Sequence, residues 1–168
     1  MRGTPAELLP WILNGADEGK VYEVTEWRPK RTLSQNNYFH ALIDKMAEAH
    51  TLTIGPMTPA AMKNTMLGRY GKKMRTANDE PLVIKTNMRP EDMIELEEPH
   101  TKLARENEDG TFSYWWLQRT KEMDVREMAA LLTATVEEAK ALGVETMTPR
   151  ELEELRRHEI QKQAQQGD

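Results

Sequence analysis

The chain has 168 residues, 38% hydrophobic and 30% charged, with a mean hydropathy of -0.75 and a formal net charge of -5. That composition supplies one modest core, and the lack of cysteine excludes disulfides, thiolate zinc sites and cysteine nucleophiles. No apolar run approaches the roughly 20 residues of a membrane span, and the N-terminal apolar stretch is too short for a signal peptide, so a cytoplasmic protein with no membrane association is expected.

The first element read from the sequence is a short helix over residues 4–13, with Thr4 as N-cap, Pro5 at the first helical position and Glu7 after it. Leu8, Leu9, Trp11, Ile12 and Leu13 fill it, Pro10 kinks it or shifts its start, and Asn14-Gly15 ends it. Residues 20–27 are rich in β-branched and aromatic side chains and read as a strand closed by Arg28-Pro29. A helix from about Ser34 to His50 follows, with Tyr38, Phe39, Leu42, Ile43 and Met46 at helical spacing. Gly55-Pro56 breaks the chain. Thr58-Pro59 opens a third helix through Met62, Met66 and Leu67, with Gly71 as its stop.

Residues 72–111 are irregular, with a short strand at 82–84 and a helical turn at 90–96. The polar run 106–110 reads as a turn before a strand at 111–118, which places Leu103 and Phe112 on the two arms of a hairpin. Asp124, with Glu127 three residues on, caps a helix whose apolar face is Val125, Met128, Ala129, Leu132, Val136 and Ala139, and Gly143 is its natural C′ residue. Thr148-Pro149-Arg150-Glu151 starts a final charged helix with Leu152, Leu155 and Ile160 as its apolar residues, fraying from Gln161. The expected fold is α+β: a small mixed sheet packed with several helices and ending in a long helix pair. Residues 1–147 are expected to form one domain, and 148–168 a charged C-terminal helix with a frayed tail.

Charge is unevenly placed. Residues 20–89 hold 12 Lys/Arg against 6 Asp/Glu, while the rest holds 11 against 22. An acidic protein can still bind nucleic acid through one basic face. Two basic clusters are candidates. The first is Arg28, Lys30, Arg31, Gln35, Asn36 and Asn37, where cations and amides gather at a helix start. Its alternative is a helix start behind a charged loop. The second is Lys63, Arg69, Tyr70, Lys72, Lys73 and Arg75, where Tyr70 offers a stacking surface. Its alternative is cations set against a helix C-terminus, which fits Arg69 better than Lys72, Lys73 or Arg75.

Tyr114-Trp115-Trp116 is a third feature. In a strand, Tyr114 and Trp116 share one face and Trp115 takes the other; one face belongs to the core, and the other is free to stack bases or join a subunit contact. The four histidines show no i, i+3 or i+4 pairing and no zinc-type motif, although His40 lies near Asn36 and Asn37. No phosphate loop or nucleophile elbow is present, and no cofactor is expected. Paired acids such as Glu137-Glu138 read as solvated faces.

Two segments together resemble a known family. Arg31-Thr32-Leu33-Ser34-Gln35-Asn36, followed by an aromatic-rich helix, resembles the Arg-Ser-Leu-x-Gln-Asn signature of phage NinB-type (Orf) recombination proteins. The run from Thr120 through Met123-Asp124-Val125-Arg126-Glu127 to Leu132, and on to Gly143-Val144, resembles that family's C-terminal helix. The similarity spans residues 20–155 with a weakly matched middle. Relative to the family, the chain adds an N-terminal helix, an insertion-like region over 72–111 and an acidic tail helix.

The resemblance implies a homodimeric, non-enzymatic accessory (mediator) protein of phage recombination, working in the bacterial host cytoplasm. It would bind single-stranded DNA, cooperate with a single-stranded-DNA-binding protein and help load a recombinase. The matched positions are Arg31, Gln35 and Asn36. Two other classes stay open: a protein-docking module built on Met-rich helices, and a metal-dependent nuclease with converging carboxylates.

Overall fold

Each long helix in residues 34–166 starts beside a side chain that satisfies one of its free N–H groups. A computed structural model describes these residues, together with Pro10 and Leu13. The N-terminal helix (those two residues aside), the strand at 20–27 and the cations Arg28, Lys30 and Arg31 lie outside the described residues. The elements of residues 34–166 all belong to the unit formed by residues 32–168. In chain order they are α1 (Gln35–Thr53), α2 (Pro59–Tyr70), β1 (Val83–Thr86), α3 (Pro90–Met93), β2 (Thr101–Glu106), β3 (Phe112–Trp116), a 3-10 turn (Thr120–Glu122), α4 (Val125–Ala141) and α5 (Pro149–Gln166).

Ser34 accepts the Asn37 N–H at 3.1 Å to start α1, and Thr58 accepts that of Ala61 at 3.1 Å to start α2. Asp124 and Glu127 form a reciprocal capping box at α4, with bonds of 2.8 and 3.0 Å. Thr148 and Glu151 exchange the same pair at α5, at 3.3 and 2.7 Å. Each such cap is worth about 1 kcal/mol. Helix α4 closes at Gly143, whose φ of 75° allows the Gly143 N–H to reach Lys140 O and the Val144 N–H to reach Ala139 O, both at 3.0 Å. Helix α1 runs three residues beyond the expected His50, to Thr53, and α5 continues through the stretch expected to fray, to Gln166.

The fold is α+β, with a C-terminal helix pair. Its core lies among α1, α2, α4 and α5: Phe39, Leu42, Ile43 and Met46 meet Met62, Met66 and Leu67 from α2, and Leu131, Leu132, Val136 and Ala139 from α4. The buried face of α4 is broader than its apolar spacing predicts and includes Leu131 and Thr135, because α1, α2 and α5 all pack on it. Leu155 seals the core from α5.

The three described strands form an antiparallel sheet in the order β1-β3-β2, with no parallel pair among them. The β2–β3 hairpin turns at Gly110, φ 78°, and carries Leu103 and Phe112 on its arms as expected. Between Leu103 and Arg105 the register slips by one residue, a bulge. On one face, Tyr114 is buried and donates its hydroxyl to Met88 O at 2.8 Å. At the other end of the sheet, the segment after α2 joins through single bridges, Lys73 to Leu117 and Arg75 to Pro81.

Two glycines, one within α2 and one at its end, differ in what they tolerate. A Cβ on Gly71 would lie 2.6 Å from Leu67 O, whereas one on Gly68 would meet only the Lys102 side chain at 3.7 Å. Gly71→Ala should therefore cost about 1–3 kcal/mol, while Gly68→Ala should be neutral or stabilising by up to about 1 kcal/mol. Urea unfolding of the two variants checks this; equal effects would refute it.

Candidate nucleic-acid interface

The structure disperses the second basic cluster read from the sequence and describes only the amide residues of the first. In the first, only Gln35, Asn36 and Asn37 are described. Gln35 is 2% exposed. Its backbone N–H donates to Glu159 Oε1 at 2.9 Å, and its side-chain amide donates to Glu159 Oε2 and to Val125 O. The expected base or backbone contact from Gln35 is thus engaged inside the protein, where it ties α1 to α5 and to the start of α4. Asn36 is half-buried with Oδ1 enclosed and unpaired, and it lines a cavity of about 380 Å³ shared with Lys121, Asp124 and Met128. Asn37 is exposed.

In the second cluster the side chains part company. Arg69 pairs with Glu138 at 3.1 Å, and the Tyr70 hydroxyl donates to the same carboxylate, which raises the phenol's pKa. Lys72 pairs with Glu127 at 2.6 Å; the bond lifts the lysine and lowers the carboxylic acid. Arg75 folds back on Asp79, with Nη1 2.6 Å from its carbonyl oxygen. Lys63 lies elsewhere, half-buried and lowered by burial against the opposing pull of Glu97 and Glu98. Lys73 alone of this cluster turns onto the sheet, with Nζ 3.1 Å from the centroid of the Trp115 ring.

That contact marks the Trp115 face of the strand, whose flanking cations the sequence did not reveal. Directly opposed residues in a sheet point the same way. Val83 and Lys102 flank Trp115, and Lys85 and Arg105 flank Ser113, so all share the Trp115 face. Leu117, two residues along, anchors one end of this face in the helical core, and the Lys102 methylenes pack near Gly68 of α2. Away from the helices the face opens: Val83, Lys85, Lys102 and Arg105 are exposed, and Trp115 is half-buried among them. Lys85 is neutralised by Asp109 at 2.6 Å, which holds that acid well below the usual carboxylate range. Lys73, Lys102 and Arg105 have no carboxylate partner among the described residues. A half-buried indole ringed by uncompensated cations is suited to stack a base and hold its phosphates.

Comparison of the chain with protein-family models, curated proteins and solved structures finds no match. Among the described residues no group of three or more His, Asp or Glu could hold a metal ion, and no helix is long and apolar enough to cross a membrane.

Sequence reading missed Lys85, Lys102 and Arg105. Lys102 and Arg105 are three apart, and strict alternation would put them on opposite faces. The bulge between Leu103 and Arg105 restores them to one face.

A second polar group lies where the 94–100 segment meets α1 and α2. Asn64 donates to Ile94 O and Leu96 O at 2.7 and 2.9 Å, so its Oδ1 accepts from His100 Nδ1–H at 2.9 Å. Burial, with Lys63 beside it, pushes His100 down to about 4. Between about pH 6.5 and 4 the unfolded chain therefore takes up a proton that folded His100 refuses, and stability falls as pH falls through that window. His100→Asn retains a donor for Asn64 and removes the titration. It should flatten the pH dependence of the unfolding free energy from urea titrations there by up to about 1.4 kcal/mol per pH unit; an unchanged slope would refute the assignment.

Proposed function

We propose that this protein is a non-enzymatic accessory protein of phage recombination that binds single-stranded DNA across the open sheet face. The observation that carries the reading is the half-buried Trp115 set among Lys73, Lys102 and Arg105, three cations without carboxylate partners among the described residues. Base–aromatic stacking tolerates any sequence because every base has a π-face, and the flanking cations follow the phosphate path.

The recombination role rests on the NinB-like residues Ser34-Gln35-Asn36 and the run from Thr120 to Leu132. In the structure these meet: Gln35 bonds to Val125 O beside the Asp124–Glu127 capping box. On this reading both motifs serve the helical scaffold, and the DNA face lies on the sheet. The protein would work as a homodimer in the bacterial cytoplasm, beside a single-stranded-DNA-binding protein, and help load a recombinase.

A second reading, a protein-docking module, has one observation in its favour. Leu52 and Ile54 stand 78% and 68% exposed at the end of α1, an apolar tip suited to a partner protein.

Fluorescence anisotropy with labelled oligothymidine separates the two. Wild type should bind with strong salt dependence. Lys102→Glu with Arg105→Glu should weaken binding at least tenfold and lower the log–log salt slope by about 1.4, near 0.7 per lost phosphate contact. Leu52→Glu with Ile54→Glu should leave binding unchanged. Unaltered binding by the sheet-face variant would overturn the assigned surface.

A further inference from the structure

We propose that Lys73 is a specificity-determining residue, a cationic cover on Trp115 that a single strand displaces and a duplex does not. The inference rests on the single-stranded-DNA reading of the sheet face. The Lys73 ammonium sits 3.1 Å from the Trp115 ring centroid, so in the free protein the indole face that a base would use is taken. The backbone on either side of Lys73 is fixed. The Met74 N–H donates to Trp116 O, the Gln118 N–H donates to Lys72 O, both at 2.8 Å, and Lys73 itself bridges Leu117. Only the four-carbon side chain is free to swing. Its neighbours Lys72 and Arg75 are held by Glu127 and Asp79, while Lys73 has the ring as its counterpart.

A phosphate offers this ammonium a full charge and a charge-assisted hydrogen bond, a stronger attraction than a ring quadrupole. Drawing Lys73 away uncovers the indole, and the loss is made good only if something flat takes its place. An unpaired nucleotide brings both groups at once, a phosphate for Lys73 and a base for Trp115. A duplex brings phosphates with its bases already stacked on one another, so moving Lys73 would leave the indole bare. The pair therefore answers to phosphate and free base together, and that coincidence defines a single strand.

The test is a double-mutant cycle on the full chain, with Lys73→Met, Trp115→Leu and the double variant, each checked for an unchanged circular dichroism spectrum. Binding is measured to oligothymidine and to its duplex with oligoadenine. In the free protein the two side chains hold each other, and in the complex they hold the nucleotide. Each single variant is thus relieved of breaking the pair, and the double variant is relieved only once. It should bind oligothymidine more weakly than the product of the single effects by about 2- to 30-fold, the range of a cation–π contact. Lys73→Met alone should weaken single-strand binding more than duplex binding.

An additive cycle, or equal losses on the two nucleic acids in Lys73→Met, would overturn the gate and leave Lys73 as an ordinary phosphate contact. The single-variant comparison decides the matter even if the double variant unfolds. Wild type that binds neither nucleic acid at low salt would remove the single-strand reading and the gate with it.

Discussion

One buried amide ties the segment that leads into the sheet to the helices. Asn64, on α2, is 2% exposed and uses both amide hydrogens on the carbonyls of Ile94 and Leu96, which leaves its oxygen to accept from His100. His100 in turn accepts the Leu117 N–H on its own carbonyl at 2.8 Å, and Leu117 is a member of the helical core. The chain enters β2 immediately after His100 and leaves β3 immediately before Leu117, so this relay fixes both ends of the hairpin against α2. A buried amide left without partners would cost about 1–3 kcal/mol for each orphaned group. The satisfied network therefore favours this seating of the hairpin, and with it this position for Trp115.

Helix α4 decides which cations remain available. Its first turn needs an acid for the capping box, and Glu127 supplies it while also pairing with Lys72; Glu138, near the other end, takes Arg69 and Tyr70. Exposed ion pairs of this kind add little stability, but they direct charge. They neutralise the part of the basic segment that faces the helices and leave Lys73, on the sheet side, with an aromatic partner. Charge is thus concentrated where an indole is half-exposed, and a base and its phosphate can be met together there.

Local chemistry made most of the helical layer legible. Ser34, Thr58, Asp124 and Thr148 each stand before a helix, and Pro59, Pro149 and Gly143 mark starts and a stop, because caps and φ preferences involve residues within a few positions of one another. The apolar spacing of Phe39, Leu42, Ile43 and Met46 named the buried face of α1 for the same reason. Alternation likewise separated Trp115 from Tyr114 and Trp116. The role of Gln35 was not legible, since its partner Glu159 lies 124 residues away on an element whose docking no local pattern encodes.

Composition and short-range spacing were enough to read an α+β chain with capped helices, an acidic balance and a run of cations after α2. Which cations share a face came instead from long-range packing. A single extra residue in β2 turns Arg105 to the side of Lys102 and Trp115, and carboxylates 55 and 69 residues distant bind Lys72 and Arg69. Strand register and counter-ion choice depend on elements far apart in the chain, and their energies are settled only when those elements pack.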